Sequence, residues 1–265
     1  MASYSTTMIL LSVLFSGLLY ANGRAVDLVS TLTQQSQFDF FTLALQWPAT
    51  FCSTHENKCC PENGCCAGEH SQSPPGFTIH GLWPDYKDGS WPSCCEGAAY
   101  DESKIAPLLD AMHKYWPILS CNDISSCNNK TNSFWADQWE QHGTCSTSVT
   151  GDQYGYFLTA LELYLKYNVT EVLLQAKVKP SNSNTYPSAV LISAIENAFH
   201  AKPQLDCKNG DVIKEVRLCF TKDLQPRECV EPTSCPANVR LPKFAFLEGA
   251  TKTEDWLLSA VKTVV

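Results

Sequence analysis

The sequence predicts an α+β fold: one disulfide-rich domain in which helices pack against a central antiparallel sheet. Three observations predict it. Apolar residues alternate with period two near both ends of the chain, and three-to-four-residue periodicity fills the middle. Fourteen cysteines run from Cys52 to Cys235 without a gap that would separate two clusters. The 265 residues contain no internal repeat, low-complexity tract or long Gly/Ser linker, so a single domain is the better reading.

Taken in order, the stretch from Met8 to Leu19 is apolar except for Ser12, Ser16 and Gly17, and the small residues Gly23 and Ala25 follow. That is the layout of a secretory signal peptide over residues 1–25, although only the terminal amine supplies the positive charge before Met8. The apolar run is shorter than the roughly 18 to 20 residues that span a bilayer. The expected mature chain therefore begins near Val26, is a monomer without membrane contact, and comprises a domain over 26–242 and a tail over 243–265. An uncleaved anchor is the alternative.

The first strand is read at Phe41, Leu43, Leu45 and Trp47, which alternate with Thr42, Ala44 and Gln46. In Phe77-Thr78-Ile79-His80-Gly81, alternation buries Phe77 and Ile79 and presents Thr78 and His80 on the other face, with Gly81 permitting a turn. Ile105, Leu108, Leu109, Met112 and Trp116 recur at helical spacing, with Ser103 placed to cap the start. In the segment 134–143, helical spacing groups Trp135, Gln138, Trp139 and His142 on one face, Asp137 and Gln141 lie one step around, and Gly143 is suited to end the helix. A further helix runs through Tyr154, Phe157, Leu158, Leu161 and Leu165 and stops near Asn168; another covers Ser188 to His200. Val216, Leu218 and Phe220 alternate as a late strand. The apolar end, Trp256 to Val265, reads as a sorting or processed segment, or as a docked terminal helix.

The formal net charge of −8 becomes −9 once Arg24 leaves, because residues 1–25 hold no Asp or Glu. A broad basic surface for nucleic acid is thereby excluded, and any RNA contact has to come from a local pocket. The even cysteine count in a secreted chain is read as up to seven disulfides. A zinc cluster at Cys59, Cys60, Cys65 and Cys66 is the alternative, but adjacent cysteines suit tetrahedral ligation poorly. Asn129-Lys130-Thr131 and Asn168-Val169-Thr170 are glycosylation acceptors.

His80 and His142 stand out by their surroundings. A pair of imidazoles is a complete apparatus for RNA cleavage: a neutral one takes the 2′-hydroxyl proton and a protonated one gives a proton to the departing 5′-oxygen. RNA supplies its own nucleophile, so no cofactor or metal is expected.

Phe77-Thr78-Ile79-His80-Gly81-Leu82-Trp83-Pro84-Asp85 resembles the first active-site segment of the ribonuclease T2 family, and Trp139 with His142-Gly143-Thr144-Cys145 resembles the second. The likeness extends from Phe38 to about Pro242. It includes Leu45-Gln46-Trp47-Pro48 and Trp91-Pro92-Ser93-Cys94-Cys95, and two doubled-cysteine pairs point to the plant S-like branch with its vacuolar members. The resemblance implies an α+β domain, proton transfer by His80 and His142, and base stacking and hydrogen bonding of single-stranded RNA by Trp83, Asp85 and Trp91. Core or loop packing is the alternative for the two tryptophans.

The resemblance also implies the bridges Cys52–Cys59, Cys60–Cys121, Cys95–Cys145, Cys207–Cys235 and Cys219–Cys229. Cys65, Cys66, Cys94 and Cys127 would form two more in an order left open.

The second segment departs from the family pattern His-Glu-Trp-x-Lys-His-Gly-Thr-Cys. Asp137 stands at a phosphate-binding histidine, Gln138 at the acid and Gln141 at the lysine. Loss of one preorganised partner of a transition state typically costs about 10²- to 10³-fold in rate. Asp137 would further repel phosphate and favour imidazolium at the neighbouring base. The expected function is accordingly a ribonuclease homologue with little or no cleavage activity, retained for storage, defence or RNA binding, in the vacuole or outside the cell. A working, metal-independent endoribonuclease yielding 2′,3′-cyclic phosphates is the second reading. A metal site made by chance from His80, His142 and Asp137 is the third.

Overall fold

The computed structural model describes residues 37–53, 65, 76–119, 127 and 133–243. The expected signal peptide, the Asn129 acceptor and the terminal tail lie outside the described residues, which form one α+β domain from Phe38 onward.

Strand β1 (Phe40–Gln46) is central and wholly buried. It pairs antiparallel with β2 (Thr78–Asp85) on one side and with a late strand, Val212–Phe220, on the other. Between them in sequence come α1 (Pro48–Cys52), α2 (Leu109–Tyr115), α3 (Phe134–Gln138), α4 (Thr144–Thr150), α5 (Gln153–Lys166) and α6 (Val169–Gln175). Then follow β3 (Tyr186–Pro187), α7 (Ser188–Phe199), β4 (Gln204–Lys208), β5 (Val212–Phe220), β6 (Pro226–Arg227) and β7 (Asn238–Val239). The main sheet runs β2-β1-β5-β4, with β6 on the end of β5; β3 and β7 form a separate small pair.

Strand alternation divides the sheet into two faces. Phe41, Leu43 and Leu45 of β1 sit in register with Phe220, Leu218 and Val216 of β5 and, with Ile79 and Leu82, are buried in the core. Helices cover this face. Trp116 packs against Phe157 of α5 with ring centroids 5.3 Å apart, and Tyr167 lies 5.0 Å from Phe220. Buried polar tips are anchored on β2 and the residue before it: Tyr156 Oη donates to the Leu82 carbonyl at 2.9 Å, and Tyr164 Oη to that of Phe77 at 2.8 Å. The other face carries Thr42, Ala44 and Gln46 of β1 opposite Cys219, Arg217 and Glu215 of β5.

Several local expectations are corrected. Gly81 makes no turn: β2 continues to Asp85, and the pairing shifts at Ala44/Leu45, leaving His80 without a registered partner between Ile79 and Gly81. This bulge re-aims one side chain while keeping the strand. Ser103 is not the cap. Asp101 accepts from the Ser103 backbone N–H, and the segment begins as a 3₁₀ stretch, Glu102–Leu108, containing Pro107, whose missing N–H does not suit an α-helix interior. Gly143 does not end its helix. A π turn, Trp139–Gly143, joins α3 to α4 without a break. As expected, α5 stops just before Asn168, at Lys166, and the Asn168 side chain then accepts from Glu171 N and caps α6.

Among the described residues, five disulfides are present and no cysteine is free. Cys95–Cys145, Cys207–Cys235 and Cys219–Cys229 occur as expected. Cys52 pairs with Cys65 rather than Cys59, their Cα atoms 5.2 Å apart, within the reach a bridge requires. The open set resolves in part, since Cys94 pairs with Cys127. Cys59, Cys60, Cys66 and Cys121, and with them the expected Cys60–Cys121 bridge, lie outside the described residues.

Candidate active site

The polar face of the sheet and the α3–π–α4 run meet around Trp83. The His80 and Trp83 rings approach edge-on with centroids 5.1 Å apart, and Trp83 and His142 lie 5.6 Å apart. One indole therefore touches both expected proton carriers. Its Nε1 donates to Gln138 Oε1 at 3.1 Å, and the Arg217 guanidinium lies over its ring at 5.4 Å. Gly81 makes this approach possible: a Cβ at that position would collide with both Trp83 Nε1 and Gln138 Oε1.

His80 is fixed from two sides. Trp116 Nε1 donates to its carbonyl at 3.1 Å, and its own Nδ1 donates to Glu215 Oε1 at 2.7 Å. Burial pushes the Glu215 carboxyl up. The hydrogen bond and charge of His80 and the charges of Arg217 and Lys214 outweigh that and hold it at about 2. Glu215 is thus a carboxylate with a side chain only 2% exposed, and Arg217 reaches its other oxygen through Nε at 3.2 Å and Nη2 at 3.1 Å. Lys214 joins this carboxylate to Asp206, 3.1 Å away.

His142 has the opposite environment. It is buried, its Nδ1 has no hydrogen-bond partner among the described residues, and burial, followed by the charge of His80, pushes it down to about 3. The expectation that Asp137 favours imidazolium here is overturned, because desolvation decides. Asp137 is itself buried at 5% exposure, and its charge helps raise the Tyr156 hydroxyl instead. The site therefore holds one imidazole hydrogen-bonded to a carboxylate and one buried imidazole held neutral, two different environments for acid–base chemistry.

A groove of about 510 Å³ opens beside Trp83. Asp85, Trp91, Gln141 and His142 line it, together with Thr42 and Arg217 of the polar sheet face. Trp91 is 60% exposed, so it forms a rim rather than core. Its loop is held to the π turn by Cys94 N donating to the Gln141 carbonyl at 3.1 Å and to α4 by Cys95–Cys145. Burial raises the Asp85 carboxyl to about 6, against the opposing hydrogen bond from Thr42 at 2.5 Å and the charge of Arg217.

The sequence-predicted residues thus converge, with one separation. Gln141 opens on the groove, Gln138 lies behind Trp83, and Asp137 is buried away from the lining. Glu215 and Arg217 were missed. Their signal was present in β5: if Val216, Leu218 and Phe220 face the core, Glu215 and Arg217 must occupy the face of Thr42. Among the described residues, no three His, Cys, Asp or Glu side chains group as a metal site.

Comparison with known proteins converges on one family. A sequence model described as the ribonuclease T2 family matches residues 38–229. Intracellular ribonuclease LX of Solanum lycopersicum is 38% identical over 82% of this chain and 89% of its own length. Ribonuclease 1 of Arabidopsis thaliana is 35% identical over 81% and 91%. Among solved structures, the RNase-related protein from Calystegia sepium shares 45% identity with a TM-score of 0.73, covering 78% of this chain and 98% of that one. Trichomaglin, described as a novel S-like ribonuclease, shares 42% identity with a TM-score of 0.73, over 78% and 99%.

Proposed function

This chain belongs to the ribonuclease T2 family, in its S-like branch, and from that premise we propose that it retains the RNA groove while cleaving RNA weakly or not at all. The observation that carries this reading is the hydrogen bond from Trp83 to Gln138. At the indole shared by the two imidazoles, a neutral amide takes the place of the family's acid. Position 141, which opens on the groove, carries an amide instead of an ammonium. The cations Lys214 and Arg217 are each engaged with carboxylates of the same sheet. Developing negative charge on a transferring phosphate therefore meets little preorganised compensation.

Structures of family members in complex with 5′-AMP, 5′-UMP and 5′-GMP support single-stranded RNA as the ligand class. Storage and defence are the other roles for which such a protein would be kept. Delivery through the secretory pathway, after removal of residues 1–25, fits the disulfide-rich domain. The relatives include both intracellular and extracellular ribonucleases, and we favour the vacuole. Asn168 is exposed and uses Oδ1 as a helix cap, leaving its amide nitrogen for a glycan; Asn129 is the second proposed acceptor.

The deciding assay follows cleavage of single-stranded RNA by the purified mature protein from about pH 4 to about pH 8. The expected rate lies at least about 100-fold below that of a relative with the intact His-Glu-Trp-x-Lys-His pattern. The paired His80–Glu215 and the neutral His142 favour a second reading, an active endoribonuclease. Turnover to 2′,3′-cyclic phosphate ends at a relative's rate would establish it and overturn the first.

A further inference from the structure

The groove beside Trp83 presents two carboxyl groups, and several of its donors are already engaged. Four donors that reach it are committed inside the protein. Thr42 Oγ1 donates to Asp85, Trp83 Nε1 to Gln138, Gln204 Nε2 to the Pro232 carbonyl at 3.2 Å, and Arg217 to Glu215. Two carboxyl groups remain on the lining, Asp85 from the end of β2 and Glu231 from the segment after Cys229. Glu231 is held against the turn that follows β2. Gly89 there has φ +85°, and any Cβ on it would lie 2.6 Å from Glu231 Oε1. The charge of Glu231 is felt at Asp85. Exposed Trp91 and the Trp83 ring supply flat apolar surface beside the two carboxyls.

Beside these two carboxyls, a planar ligand that stacks here gains by bringing its own hydrogen-bond donors. Guanine offers N1–H and the N2 amino group side by side, a pair that one carboxylate accepts bidentately. Adenine and cytosine place a ring-nitrogen acceptor beside their amino group, and uracil sets its single N–H between two carbonyl oxygens. Each of these would bring an acceptor against a carboxylate. From this arrangement we infer that Glu231 is a specificity-determining residue which, with Asp85, makes the groove select guanine over the other bases. The inference rests on the reading of the groove as an RNA-base site and adds to it the base and the residue that chooses it.

The test is calorimetric titration of the full mature protein with 5′-GMP, 5′-AMP and 5′-UMP at about pH 7.5, above the Asp85 transition. Phosphate repulsion by the acidic protein is common to all three probes and cancels in their ratio. Wild type is expected to bind 5′-GMP about tenfold more tightly than 5′-AMP. Glu231→Gln, at an exposed position where folding is not at stake, should bring that ratio below about threefold by weakening 5′-GMP relative to 5′-AMP. Equal affinities in wild type, or a preference that survives Glu231→Gln, overturns the inference and leaves the base site standing. Failure of all three nucleotides to bind overturns both.

Discussion

At position 138 the difference between an amide and a carboxylate decides what the shared indole can do. Gln138 accepts from Trp83 without bringing charge. A glutamate there would keep the hydrogen bond and add an anion against the indole that both imidazoles approach. Gln141 opens on the groove, so a lysine at that position could place an ammonium against phosphate. The triple change Asp137→His, Gln138→Glu, Gln141→Lys is therefore expected to raise RNA cleavage by at least about 10³-fold. Adding His142→Ala should abolish the gain. Because Asp137 is buried, the double change at 138 and 141 is measured alongside as a variant that folds more readily. Wild type cleaving as fast as a folded, repaired form, or a folded repaired form that stays inert, would refute the argument. His142 also sets a pH dependence of stability. Its folded pKa, about 3, lies below the ordinary 6.5, so the unfolded chain binds more protons between these values. The contribution is fully present above about pH 6.5 and is lost as pH falls toward 3. Against His142→Gln, wild type should lose about 1.4 kcal/mol more for each pH unit descended through that window, read from urea unfolding. Parallel slopes would show that burial is not what holds this imidazole neutral.

Elements with strong periodicity were legible from sequence, and the irregularities that aim the site were not. The strands and helices lie where periodicity put them, but burial follows it only in part: in α5 Phe157 and Leu161 are buried while Tyr154 and Leu165 are exposed, and β1 is buried at every position and not on one face alone. Two short features escaped. The bulge at His80 depends on pairing with β1, a long-range fact that period-two reading of one strand cannot contain. The π turn replaces i→i+4 bonding with i→i+5 over one turn, which residue spacing does not announce, so Gly143 looked like a terminus. Glycine at both places answers to neighbours: Gly81 to Trp83 and Gln138, Gly143 to the Trp139 ring. Both features lie in the two segments that carry the histidines, where local rules and the demands of a site most often conflict. The cap at Ser103 was misplaced for a simpler reason. Asp101 is as suited to capping as Ser103, and only the backbone geometry tells which of them holds the first turn.

For the whole molecule, an acidic chain with a single core depends on crosslinks that tie distant segments to the site. Cys95–Cys145 and Cys94–Cys127 fasten the Trp91 loop, closing separations of 50 and 33 residues. Cys52–Cys65, Cys207–Cys235 and Cys219–Cys229 secure the end of α1 and the sheet margin behind Glu231. The existence of bridges was legible from an even cysteine count, but partners depend on Cα separations that spacing does not encode. This is why Cys52 finds Cys65 and not Cys59. Each bridge typically contributes about 2 to 4 kcal/mol by restricting the unfolded chain. All fourteen cysteines are expected to be oxidised in the mature protein. Titration of the denatured, unreduced chain should find fewer than about one thiol per molecule, and peptide mapping of the same sample should recover Cys52 joined to Cys65. Two or more thiols per chain would refute full oxidation, and a Cys52–Cys59 peptide would refute the pairing. Mild reduction that opens only Cys94–Cys127 should weaken nucleotide binding while the sheet stays folded, because that bridge constrains the loop bearing Trp91 and not the core. Loss of the fold and of binding together would mean that this crosslink supports the core and not the groove rim alone.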